Sequence, residues 1–142
     1  MVVRMPGTVP IGVQTDALQS LVDLPRTFLN AAGVGAPRWM AGVDEMPVWS
    51  GSTTAVRDHV IVENQMQPTT MNLRTYITER YKITVHYNRP YGELYDLQND
   101  PDEYVNLWDH EDCQELKKDL LLKFMYGEMG KVPLPMPRIC IA

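Results

Sequence analysis

Residues 73–87 alternate apolar and polar side chains in two consecutive runs, and a period of two leaves a strand hairpin as the regular structure open to them. Leu73, Thr75 and Ile77 share one side of the first run. Past a turn near Thr78-Glu79, Tyr81, Ile83, Val85 and Tyr87 share one side of the second, with Arg80, Lys82, Thr84 and His86 between them. The spacing therefore predicts a hairpin with one buried face and one polar face. A lone hairpin is marginal in water and needs more strands or a helix against its apolar side. Val60-Ile61-Val62 supplies a β-branched run, ended by the polar residues and Pro68 of 65–70, and residues 93–97 supply another before the Asn99-Asp100-Pro101-Asp102 turn. From about His110, acidic Glu111, Asp112 and Glu115 occupy a first helical turn. Cys113, Leu116, Leu120, Phe124 and Met129 line a stripe, Gly130 ends it, and Pro133, Pro135 and Pro137 predict an extended tail.

The N-terminal part reads differently. Residues 1–4 form a β-prone run stopped by Pro6-Gly7, which predicts a short strand. Apolar residues recur at helical spacing from Leu18 to Ala32, with Gly33 as the C-cap, and Pro25 inside the pattern predicts either a helix proper that begins near Leu24 or one with an irregular first turn. Strand, loop and helix in that order make half of a βαβ unit. Residues 35–54 carry Gly, Pro, Ser and Thr without a period, and predict a surface connection anchored by Trp39 and Trp49.

Charge narrows the partners. Thirteen Lys and Arg stand against 18 Asp and Glu, a net of −5, which lacks the positive excess that nucleic acid or anionic membrane surfaces attract. The absence of a long apolar run and of a signal-peptide pattern predicts a soluble chain, cytoplasmic rather than secreted. Two cysteines, Cys113 and Cys140, are too few for a disulfide framework.

Few residues advertise chemistry. Ser50-Gly51-Ser52 lacks the strained G-x-S-x-G turn of a nucleophile. His59, His86 and His110 are too far apart for a metal pair, and Asp96, Asp100, Asp102 and Glu103 lack the spacing of a calcium loop. Arg57-Asp58-His59 and His86 could touch a ligand, or be ordinary hydrogen-bonded surface. Arg74, Arg80 and Lys82 could hold an anion, or be a solvated sheet face with cross-strand ion pairs.

A longer pattern is more specific. Arg74-Thr75, Arg80-Tyr81-Lys82, then Gly92-Glu93-Leu94-Tyr95-Asp96-Leu97, Asn99-Asp100-Pro101-Asp102-Glu103 and Asn106-Leu107 resemble, in order and spacing, the C-terminal signature of sulfatases. Upstream, Arg4-Met5-Pro6-Gly7 resembles the family's Trp-Pro-Gly turn with Met5 replacing Trp. Ser20-Leu21-Val22-Asp23-Leu24 with Thr27 resembles the following helix, and Met40-Ala41-Gly42-Val43 the next loop.

The resemblance implies a sulfuric ester hydrolase of the alkaline-phosphatase-like superfamily, whose formylglycine and calcium clamp and attack the ester. No Cys or Ser here has Pro two residues on and Arg four on, so no catalytic or metal-binding residue is expected in this chain. The implied fold is α+β: a small antiparallel sheet packed on a C-terminal helix (56–142), preceded by a strand-helix remnant of a larger α/β sulfatase domain (1–55). Arg57, His59, Arg74 and His86 are the expected substrate-binding residues of a cleft wall. The implied partner is an N-terminal catalytic part, with self-association expected in its absence. A stand-alone anion- or protein-binding module, and part of a phosphatase or phosphonate hydrolase, are the alternatives.

Overall fold

The computed structural model describes residues 1–66 and 71–131, and the chain divides into two compact units. Arg57–Glu128 makes one; Met1–Val56 is the body of the other. The extended tail expected around Pro133 lies outside the described residues.

The Arg57–Glu128 unit is a four-stranded antiparallel meander, β1 (His59–Met66), β2 (Met71–Thr78), β3 (Tyr81–His86) and β4 (Gly92–Asp96), in that spatial order. It continues through one 3-10 turn, Glu111–Cys113, into α3 (Gln114–Gly130). Ile61, Tyr76, Ile83 and Leu94 stand opposite one another in a row across all four strands. Leu120 and Phe124 of α3 close over that row, and Ile83 and Leu94 lose all contact with solvent. The unit thus matches the α+β expectation of a sheet packed on a helix.

The hairpin corrects one expectation. Its connection is the two residues Glu79-Arg80, so odd positions of β2 pair with even positions of β3: Thr75 with Thr84, Leu73 with His86, Ile77 with Lys82. The two apolar sets are therefore out of phase, and only that of β3 faces α3. From β2 the residues on the helix side are Tyr76 and Arg74. The centre of the sheet is buried on both faces, and the Thr75 and Thr84 hydroxyls satisfy each other at 3.0 Å on the second face. The stripe on α3 is also shorter than expected. Cys113, Leu116, Leu120 and Phe124 hold to it, whereas Met129 is exposed, aligned at helical spacing with exposed Leu122, Met125 and Tyr126.

Past β4, the chain folds back along the sheet. Asp100 accepts hydrogen bonds from the Tyr104 and Val105 N–H groups, and Leu107 N–H donates to the Leu94 carbonyl at 2.8 Å. The Asn106 amide accepts from Leu94 N–H at 3.0 Å and donates to the Gly92 carbonyl at 3.0 Å. Trp108 then lies on Gly92 so closely that a Cβ there would stand 2.5 Å from its ring. The 92–107 part of the motif that resembles the sulfatase signature is, physically, β4, its turn and this return segment.

Arg80 and Asp96 fasten the hairpin loop to the end of β4, Nη2 to Oδ2 at 2.9 Å. The Arg80 hydrogen bond, ahead of those from Asn99 and against burial, holds the Asp96 carboxyl below its ordinary 3.8. A folded value below the unfolded one means that the pair stabilises the fold above the ordinary carboxylate range. That contribution is lost as pH falls through the folded value. Arg80→Ala is expected to bring the Asp96 carboxyl midpoint, read by carbon NMR, back toward 3.8. A midpoint that stays put would remove Arg80 as the cause.

In Met1–Val56, one 3-10 turn (Leu21–Asp23) leads into α1 (Leu24–Ala31), with Pro25 in the first turn where its missing N–H costs nothing. Gly33 follows at φ +72°, the left-handed C-cap the sequence predicts. Fully buried Asp23 accepts from Ser20 N–H at 2.9 Å and from Val43 N–H at 2.8 Å. Thr27 donates to the Asp23 carbonyl and accepts from Glu45 N–H, and Arg26 donates to the Gly42 carbonyl at 2.9 Å. One turn of helix therefore staples the whole 40–45 loop. Beyond it, α2 (Met46–Trp49) buries Trp49 beside Phe28, ring centroids 6.5 Å apart. Trp39 is no anchor: it stands 65% exposed. Residues 1–4 form no strand, because no strand among the described residues pairs with them and an isolated extended run gains no ladder hydrogen bonds.

Candidate functional site

The start of β1 gathers Arg57, Asp58 and His59. Asp58 Oδ1 lies 2.7 Å from His59 Nδ1, and Arg57 donates to the His59 carbonyl at 3.0 Å. The His59 ring stacks on Tyr76 with centroids 5.0 Å apart, and Tyr76 stacks on Phe124 at 5.5 Å. Behind it, α3 presents Gly127, where a Cβ would fall 2.9 Å from His59 Nε2. A glycine inside a helix is destabilising by about 1 kcal/mol relative to alanine; here it makes room for the imidazole.

This packing fixes the ring and its chemistry. An Nδ1–H given to Asp58 leaves Nε2 as the acceptor of a neutral imidazole, or a second donor of a protonated one. The His59 hydrogen bond holds the Asp58 carboxyl below its ordinary 3.8. Tyr76 is pushed above its ordinary 10.0, first by burial and then by the Asp58 charge. The arrangement fixes an imidazole whose Nδ1 meets Asp58 and whose Nε2 faces α3, with 31% of the side chain exposed, beside an Arg57 guanidinium partly committed to the His59 carbonyl. It holds no nucleophile.

Arg74 lies on the same face of the sheet but between two carboxylates, Glu128 at 2.9 Å and Glu63 at 3.5 Å. His86 is on the opposite face, level with Leu73, with Tyr91 tilted against it and Glu93 Oε1 at 3.4 Å, outside hydrogen-bond geometry. The four residues singled out in the sequence are therefore not one constellation. Arg57 and His59 come together, Arg74 sits farther along the face, and His86 is behind it. The other basic residues of the hairpin are neutralised, Arg80 in the turn by Asp96 at the end of β4, and Lys82 by Glu103 of the segment past β4 at 2.5 Å, so the ion pairs form without being strand to strand.

A groove of about 520 Å³ runs along the far end of the same face. Its walls are Val85 on β3, Tyr87 just past the end of that strand, and Leu121 and Met125 on α3, with the Arg74–Glu128 pair across it. Sequence reading gave no sign of this groove, because Glu128 meets Arg74 only after the helix has packed. Among the described residues no group of three or more His, Cys, Asp or Glu could hold a metal ion, and no helix is long and apolar enough to cross a membrane.

A family model described as N-sulphoglucosamine sulphohydrolase, C-terminal, matches residues 1–129. No curated protein matches the chain. Among solved structures, a protein in complex with its substrate D-glucosamine-2-N,6-O-disulfate is similar with a TM-score of 0.81 at 22% identity, over 94% of this chain and 29% of that one. A 2-O GAG sulfatase is similar with a TM-score of 0.65 at 25% identity, over 76% of this chain and 25% of that one. A phosphonate monoester hydrolase from Silicibacter pomeroyi has a TM-score of 0.65 at 17% identity, over 77% and 24%. The chain spans less than a third of each of these three.

Proposed function

Because the chain belongs to the N-sulphoglucosamine sulphohydrolase C-terminal family, we propose that it serves as the C-terminal part of a sulfuric ester hydrolase and forms one wall of its substrate cleft. The observation that carries this reading is the family match over residues 1–129. The ester is that of a sulfated sugar, a choice supported by the two similar structures whose descriptions concern a glucosamine disulfate and a GAG sulfatase.

The catalytic chemistry belongs to residues outside this chain. Calcium and a formylglycine would supply charge neutralisation and the attacking oxygen, and the residues here do not fit either: no candidate metal cluster exists among those described, and no Cys or Ser stands in the C/S-x-P-x-R pattern. What this chain contributes is binding. Arg57 and His59 meet an anionic or hydroxyl group of the sugar, and Asp58 positions the imidazole from its far nitrogen.

The test is a graft: residues 1–129 replace the C-terminal region of an active family member, and turnover of an N- or O-sulfated glucosamine is measured. Turnover is expected from the graft and none from this chain alone. In the graft, His59→Ala is expected to raise KM about tenfold, the worth of one charge-assisted hydrogen bond, with kcat little changed. A folded graft that is inert to sulfate esters, or active only on phosphonate monoesters, would sink the sulfatase reading. An unchanged KM would remove His59 from the cleft.

A further inference from the structure

The groove between the Leu73 and Val85 end of the sheet and α3 has no role in the cleft contacts assigned to Arg57 and His59. We propose that it is a separate sugar-binding subsite, holding another residue of an anionic glycan. This rests on the sulfated-sugar reading above.

Three features of the groove argue for a sugar. Its volume of about 520 Å³ is of the size that encloses small ligands. Its walls are amphipathic in the way a pyranose is: Tyr87, 72% exposed, and Met125, 58% exposed, offer apolar surface to C–H faces. Across it, the Arg74–Glu128 pair sets donors and a carboxylate side by side. A guanidinium has five N–H donors, so Arg74 keeps donors for ring hydroxyls beyond its two carboxylate contacts.

Arg89 is not a wall of the groove but follows Tyr87 by two residues on the same exposed turn. The turn that carries both is held by Tyr87 N–H to the Asn72 carbonyl at 2.8 Å, Arg89 N–H to the His86 carbonyl at 3.3 Å, and Asn88 in the left-handed region at φ 55°. In this unit Arg74, Arg80, Lys82, Lys118 and Lys123 each have a carboxylate partner. Arg89 makes no ion pair or side-chain hydrogen bond among the described residues. An exposed guanidinium left unpaired in a chain of net charge −5 fits a sulfate or carboxylate brought by the ligand.

The test is amide shift mapping of the full 142-residue chain titrated with a heparin tetrasaccharide and with its fully desulfated counterpart. Saturable shifts are expected at Asn72, Tyr87 and Met125. Tyr87→Ala is expected to weaken binding of both probes about tenfold, the scale of one lost aromatic stack. Arg89→Ala, at an exposed turn where folding is not at stake, is expected to remove the preference for the sulfated probe. No saturable binding would overturn the proposal, as would shifts confined to residues 57–59 or to the Met1–Val56 unit, or Tyr87→Ala binding like the parent. Groove shifts in a chain whose graft fails to hydrolyse sulfate esters would overturn the hydrolase reading alone. Turnover by the graft without groove shifts would overturn the subsite alone.

Discussion

Asp23→Ala is expected to free the 40–45 loop from α1 while leaving the sheet unit folded. The wild-type carboxylate is fully buried and accepts from two backbone N–H groups, Ser20 and Val43. Alanine leaves both without that partner, at about 1–3 kcal/mol for each buried donor. The loop has little room to find another arrangement, since Gly42, at φ +91°, lies against the helix entry: a Cβ there would stand 2.4 Å from the Val22 carbonyl oxygen. Hydrogen exchange reads this directly. The Val43 and Ser20 amides are expected to be protected in the parent chain and to exchange at near-unfolded rates in the variant, with Ile83 and Leu94 amides unaffected. Loss of protection in the sheet as well would mean that the two units do not unfold separately.

Leu94→Ala is the corresponding blow to the sheet unit. Leu94 ends the row that runs through Ile61, Tyr76 and Ile83, under Leu120 and Phe124, and has no exposed surface. Truncation leaves a cavity in a site closed on one side by strand pairing and on the other by α3, so about 2–5 kcal/mol of stability should go. Urea unfolding followed at Trp108, which packs against this core, checks the figure. A loss well under 1 kcal/mol would mean the helix collapses into the gap, and that the core is less rigid than its burial implies.

The second half of the chain was largely legible because its order is local. The period of two through residues 73–87, the Asn99-Asp100-Pro101 turn and the acidic start of the last helix each encode an element that formed where its pattern lay. The phase between the two hairpin strands was not legible, because it depends on whether the turn spends two residues or three, and Thr78, Glu79 and Arg80 all suit a turn. Thr78 decides it: its hydroxyl accepts from Tyr81 N–H at 2.8 Å, closing the loop at two residues. Residues 1–4 failed as a strand for the opposite reason, since a strand is a property of its neighbours and none is encoded nearby. Among the candidate ligand-binding residues, Arg57-Asp58-His59 was visible because adjacency in sequence made it a cluster. That His86 would lie behind the sheet, and Arg74 between Glu63 and Glu128, depended on register and helix packing that no local pattern records.

The side-chain amide of Asn106 carries a carbonyl and an N–H₂ group, the same pair a neighbouring peptide would offer, and it spends them on the outer rim of β4. With Leu107 N–H on the Leu94 carbonyl, the three rim groups at Gly92 and Leu94 are already taken. A foreign strand approaching β4 would have to displace them, so edge-to-edge aggregation of this sheet is confined to the β1 side. An Asn-to-Asp change at 106 keeps shape and size but turns the donor into a second acceptor facing the Gly92 carbonyl. The conservative-looking substitution would therefore open the very border that the turn motif exists to close.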